Sequence, residues 1–283
     1  MSFERNNRRV FLTVSGLVIV LACLAIFASS CKKEELDPLV YPEKSVVFKE
    51  LVLRTASVQA ATDFWHGQLG FQLIDSTFNS VTFQVGSSRL KFLNQVTINP
   101  PIYHFAIEIP SNQVENALDW LKNEGGKYPD GPQQPVNILV DEESDAEIIY
   151  RPLYRSRSVF FKDPNGQIVE LIGREENANT AEGNFSASMM SKICDFSLIT
   201  KDVRKCETLL NEEFGFRSFQ GTTSSYKPVG GAAGTLTMII PGRPFIPTES
   251  IESFPYGAVV VIEYPEDKEF TLPGSEVIIR TEP

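Results

Sequence analysis

Phe160-Phe161-Lys162-Asp163-Pro164-Asn165-Gly166-Gln167-Ile168-Val169-Glu170-Leu171 is the stretch on which the fold turns. Apolar runs flank Asp-Pro-Asn-Gly, four residues that each favour a tight turn, so the stretch predicts a hairpin with strands over 159–162 and 167–172. Upstream lie a strand over 136–140, a helix and an opening strand over 102–109. In the helix Val114, Ala117, Leu118 and Leu121 recur at i, i+3, i+4 and i+7, Ser111 or Asn112 is the cap, and Gly125-Gly126 is the stop. The unit therefore reads β-α-β-β-β.

The order is complete in two units, incomplete in a third and reduced to a remnant in a fourth. Before the hairpin's own unit, 46–53 is a strand, Ser57 caps a helix running to Trp65 and closing near Gly70, and short strands follow at 71–73, 80–85 and 89–93. After it, a strand over 195–199 leads to a helix carrying Val203, Cys206, Leu210 and Phe214, then strands around 218–227 and 236–240. A remnant follows, with a strand over 258–264 and no amphipathic helix after it. Self-similarity of this kind sets the architecture ahead of any single motif. The polar stretch 175–188 separates the complete pair from the incomplete one. The chain thus divides into 1–30, a tether at 31–45, a domain at 46–174 (modules 46–98 and 100–174), a linker at 175–190 and a degenerate half at 191–283.

With 42% hydrophobic and 22% charged residues the chain has the composition of a globular protein, not of a disordered or fibrous one. Lys and Arg number 26 against 36 Asp and Glu, a net charge of -10, which argues against nucleic acid as a partner. His66 and His104 are the only histidines, so a site of three imidazoles is excluded.

Arg5, Arg8 and Arg9 precede an apolar run over 10–27 that ends in Ala28-Ser29-Ser30-Cys31, the layout of an export signal. The small residues before Cys31 resemble the lipobox of bacterial lipoproteins, with Ala28 where Leu is usual. This resemblance implies lipidation of Cys31, attachment to a membrane through that lipid, and an outer-membrane or cell-surface location. A periplasmic protein with a plain signal and an uncleaved anchor are the alternatives. Lys32-Lys33-Glu34-Glu35 is similar to the charged start of some surface lipoproteins. Cys194 and Cys206, at apolar positions of their elements, read as buried thiols in preference to a disulfide.

Three segments resemble the vicinal oxygen chelate superfamily of glyoxalases, bleomycin-resistance proteins and extradiol dioxygenases. These are Phe64-Trp65-His66-Gly67-Gln68-Leu69-Gly70-Phe71, the strand Tyr103-His104-Phe105-Ala106-Ile107-Glu108-Ile109, and the hairpin quoted first. The resemblance implies an α+β fold in which paired βαβββ modules form a half-closed, cup-shaped mixed sheet, here followed by a degenerate second copy. It also implies a divalent metal (Mn, Fe, Zn, Ni or Mg) and a small-molecule substrate with adjacent oxygens. Family members also complete the cup across a homodimer, for which the third and fourth units of one chain can substitute. The family's ligand positions fall on His104 and Glu170 in the second module and on Glu50 in the first. The remaining position falls near Lys91 or Phe92, which are not usual ligands. The corresponding positions of the third and fourth units fall near Asp195 and Val259, so that half reads as structural.

The residues alone point the same way. A carboxylate between aliphatics, as at Glu170 and Glu50, is costly to bury unless paired or metal-bound. A lone histidine in an apolar strand is most often a hydrogen-bonded core group. Together with the resemblance, two functions are implied: a metal-dependent enzyme with Glu50, His104 and Glu170 as ligands and Glu170, or else Glu50, as proton acceptor, of lyase, isomerase or dioxygenase type, or a ligand-binding or scaffold lipoprotein on the same fold. Arg54, Arg151, Tyr154 and Arg155 are further candidates for orienting an anionic oxygen, with solvated loop charges the plainer reading. His66 reads as surface, and the acidic run 141–145 as a solvated loop.

Overall fold

A computed structural model describes residues 41–95, 99–123, 135–219 and 222–283; the expected export signal, Cys31 and the expected Gly125-Gly126 stop lie outside the described residues. In the first unit β1 (Phe48–Thr55) leads into α1 (Val58–Thr62), where Ser57 Oγ accepts from Ala60 N at 3.1 Å as the N-cap. The helix widens into a π-helical turn over Asp63–Gln68, and β2 (Gln72–Ser76), β3 (Ser80–Val85) and β4 (Ser88–Asn94) follow. The second unit comprises β5 (His104–Glu108), α2 (Val114–Asn123), β6 (Asn137–Leu139), β7 (Ile148–Arg151), β8 (Ser156–Lys162) and β9 (Ile168–Arg174). The third comprises β10 (Lys192–Ile199), α3 (Val203–Phe214), β11 (Tyr226–Gly231) and β12 (Gly234–Ile239). The fourth keeps β13 (Ala258–Glu263), β14 (Glu269–Thr271) and β15 (Val277–Glu282) without a helix. The i, i+3, i+4, i+7 positions of α2 are all buried, as are Val203, Cys206, Leu210 and Phe214 of α3. Cys194 and Cys206 are free, buried thiols.

The strands form two mixed sheets, one of seven strands (β14-β15-β13-β1-β4-β3-β2) and one of eight (β11-β12-β10-β5-β9-β8-β6, with β7 also on β8). The α+β class and the open sheets are those expected. The partnership between modules is not: the first unit shares a sheet with the fourth, through β1 and β13, and the second with the third, through β5 and β10. After each of the first two modules is complete, its opening strand is still an open edge. The later units supply the strand that covers it. Order along the chain defines modules but does not say which edges join.

The core lies between the sheets. Trp65, fully buried in the π-helical turn, meets Phe83 and Phe92 of the seven-stranded sheet and Phe105 and Phe161 of the eight-stranded one at 6.0–6.4 Å between ring centres. Its Nε1 donates to Asp163 Oδ2 at 3.3 Å. Asp163 Oδ1 accepts from the amides of Asn165 and Gln167, both at 2.9 Å, while the Asn165 side chain accepts from Ser57 N and donates to Ser57 O. The turn that decided the fold is therefore a bracket holding the second module against the start of α1. Burial pushes the Asp163 carboxyl up to about 6, against the opposing pull of the bonds from Gln167, Trp65 and Asn165. A second bracket is the β3–β4 turn, whose Ser87 N donates to Ser191 O just before β10. Gly86 there has φ +54°, and a Cβ on it would stand 1.8 Å from Ser191 O.

Candidate active site in the eight-stranded sheet

Two bulges define where functional side chains point. β10 slips between Ile193 and Asp195 in its pairing with β5, and β1 slips between Phe48 and Glu50 in its pairing with β13. A bulge re-aims the residue after it. Beyond the slip Asp195 is level with Ala106 and with Thr235, and Glu50 is level with Val261 and with Arg89. Ala106 in turn is level with Glu170, and Val261 with Arg280. Glu50 is thus the counterpart of Asp195, Val259 of His104 and Arg280 of Glu170.

Among the described residues, it is the eight-stranded sheet that assembles a reactive set. His104, Glu170, Asp195 and Ser197 line a cavity of about 70 Å³. Ser197 Oγ is 2.8 Å from His104 Nδ1, and Glu170 Oε2 is 3.2 Å from His104 Nε2. Ser158 Oγ donates to Glu170 Oε1 at 2.5 Å. Asp195 Oδ1 accepts from the hydroxyls of Thr235 and, at 2.8 Å, Thr237. The rings of Phe160 and Phe245 flank the imidazole at 5.9 and 6.3 Å. His104 Nε2 is buried without a hydrogen bond of good geometry.

Electrostatics separate the two carboxylates. Burial pushes Glu170 up, but the bond and charge of His104 outweigh it and hold the carboxyl below its ordinary value. For Asp195 burial prevails over His104 and the threonine hydroxyls, and its pKa is raised. Burial opposes the charge of Arg174, yet Cys194, Asp195 and Glu170 beside it push its pKa up. Burial drives the Cys194 thiol up to about 12, against the opposing pull of the Arg174 guanidinium.

Glu50 does not join this set. Its carboxylate lies 3.3 Å from Arg89 Nε on the seven-stranded sheet, where Arg280, the counterpart of Glu170, pairs with Glu269 at 2.6 Å. Asp195, Ser197, Thr235 and Thr237, from the unit that read as structural, line the cavity in its place. Their signal was present in the sequence as polar residues two apart on otherwise apolar strands. Arg151 and Tyr154 also line the cavity, whereas Arg155 pairs outside with Glu175 and Glu176. Arg54 lies beside Gly257 on the other sheet, and exposed His66 holds Phe71 O through Nδ1 at 2.7 Å. In the acidic run, Glu142 accepts from Glu249 N at 2.7 Å and Ser250 Oγ at 3.1 Å. It thereby ties down the loop that brings Arg243, Phe245 and Ile246 to the cavity.

Residues 47–171 match the Glyoxalase/Bleomycin resistance protein/Dioxygenase superfamily. The glyoxalase-type fold extends beyond that match. A "putative dioxygenase" structure from Bacillus subtilis strain 168 superposes over 86% of this chain and 87% of its own, with a TM-score of 0.56 at 15% identity. A glyoxalase I variant from Zea mays covers 84% of this chain and 93% of its own, at TM-score 0.49 and 11% identity. No curated protein matches the chain. The glyoxalase-type resemblance implies a divalent metal, and an imidazole nitrogen left without a well-formed bond beside a carboxylate oxygen is a donor pair suited to one. Among the described residues no three His, Cys, Asp or Glu side chains come close enough to hold an ion between them.

Proposed function

We propose that the cavity of the eight-stranded sheet is a small-molecule active site of the vicinal oxygen chelate type. The observation that carries this is the buried His104–Glu170 pair, 3.2 Å apart, facing an aromatic-lined cavity. Glu170, held ionised by His104, accepts a proton from the substrate, and Ser158 fixes the carboxylate for that role. Ser197 fixes the imidazole ring, and Phe160 and Phe245 exclude water. A divalent ion would be held by His104 and Glu170 and would polarise a substrate oxygen as a Lewis acid. Lyase, isomerase and dioxygenase chemistry are all compatible with a carboxylate base beside a Lewis acid on this fold. Lipidation at Cys31 and an outer-membrane or surface location complete the proposal. Loss of labelled-palmitate incorporation in Cys31→Ser is the expected result, and unchanged labelling overturns it.

The deciding experiment is metal content by plasma mass spectrometry on the full chain, alongside His104→Ala, Glu170→Gln and Glu50→Gln. About one ion per chain is expected, lost in the first two variants and kept in the third. A second reading, a ligand-binding protein without turnover, is favoured by one observation: both nitrogens of His104 already face partners within the fold. It prevails if the parent takes up no metal after reconstitution with Mn, Fe(II), Zn or Ni.

A further inference from the structure

The His104–Glu170 pair leaves the far part of the same cavity without a task. Ser156 and Arg174 are register partners across β8 and β9, so their side chains leave the sheet on one face, and both line the cavity. They are 1% and 7% exposed, and Ser156 Oγ and Arg174 Nη1 are both buried without a hydrogen-bond partner. A buried donor left unpaired is costly, and two of them side by side match the two oxygens of one carboxylate.

Charge and shape narrow the ligand. Arg151, Arg174 and Arg243 line the cavity against only Glu170 and Asp195, a surplus of positive charge that favours an anion. The Arg174 end is closed by aromatic rings. Phe219 packs edge-on against Tyr41 at 5.3 Å and lies 6.0 Å from Tyr154, and Tyr41 donates to Tyr154 O at 2.6 Å. Arg174 stands four positions beyond Glu170 on β9, about 13 Å along the strand, and both side chains lean into the same space. A space of about 70 Å³ excludes a polymer and limits the ligand to a small molecule.

We propose that the cavity takes a small aromatic carboxylate, its carboxylate bound by Arg174 and Ser156 and its ring directed toward His104 and Glu170. This rests on the cavity being a small-molecule site and not on a metal. The test is calorimetric titration of the full chain with benzoate, with benzamide as the uncharged equivalent and with inorganic phosphate. Benzoate is expected to bind at least about tenfold more tightly than either, and Arg174→Met and Ser156→Ala are each expected to weaken it by about tenfold. Ser156→Ala removes one oxygen and keeps the test valid if the arginine variant fails to fold. Equal binding of benzamide or phosphate, unchanged benzoate affinity in Ser156→Ala, or no benzoate binding overturns the proposal. Metal uptake with no benzoate binding sinks this inference alone, and benzoate binding without metal sinks only the metal-dependent reading.

Discussion

Asp163 couples local structure to solution pH in a direction opposite to most carboxylates. Its ordinary value of 3.8 rises to about 6 in the folded chain, so between those values the folded state holds a proton that the unfolded state has released. Stability from this group is therefore fully present below about pH 4 and is lost as pH rises through about 6, by up to about 3 kcal/mol. Asp163→Asn removes the titration. The stability of the parent relative to this variant should be greater at pH 4.5 than at pH 7.5, measured by urea unfolding, and a pH-independent difference would show the shift to be absent. At this scale an ionisable group in an apolar strand stands out, which is how His104, Glu170 and Glu50 were legible as candidates. The contrast is equally strong whether the fold brings the groups together, as it does His104 and Glu170, or sets one against Arg89, as it does Glu50. Asp195 was passed over because its role depends on which sheet β10 joins, and no local pattern encodes that.

Among the elements, the helices were legible from spacing and caps, since their buried faces are short-range properties. The brackets between sheets were not, because they are contacts between distant backbones. Gly86 is the sharpest of these. Gly86→Ala combines an unfavourable left-handed conformation with a collision against Ser191 O, and should cost at least about 2 kcal/mol by denaturant midpoint. A change within about 0.5 kcal/mol would mean the turn can move off β10. The loop held by Glu142 offers a contrasting case. Because that carboxylate is on the surface, Glu142→Ala should change global stability by under about 1 kcal/mol, while amide exchange at Glu249, which donates to it, speeds markedly. Unchanged exchange there would show the loop to be held by its own turns.

Across the whole molecule, interleaved pairing makes the two halves of the chain mutually dependent. A fragment ending at residue 190 would keep the first two modules but leave β1 and β5 as bare, apolar edges. It is expected to aggregate without a cooperative transition, and co-expression with residues 191–283 is expected to restore a soluble complex. A monomeric, two-state fragment would overturn that account. The four-unit pattern was readable from the order of elements, but the choice of partners was hidden because every unit offers a similar edge. That choice also has a temporal side. The seven-stranded sheet cannot close until β13 and β15 have left the ribosome, about 200 residues after β1. The nascent chain therefore remains unfinished until the fourth unit has emerged, which gives a chaperone a long interval in which to engage it while it is still extended.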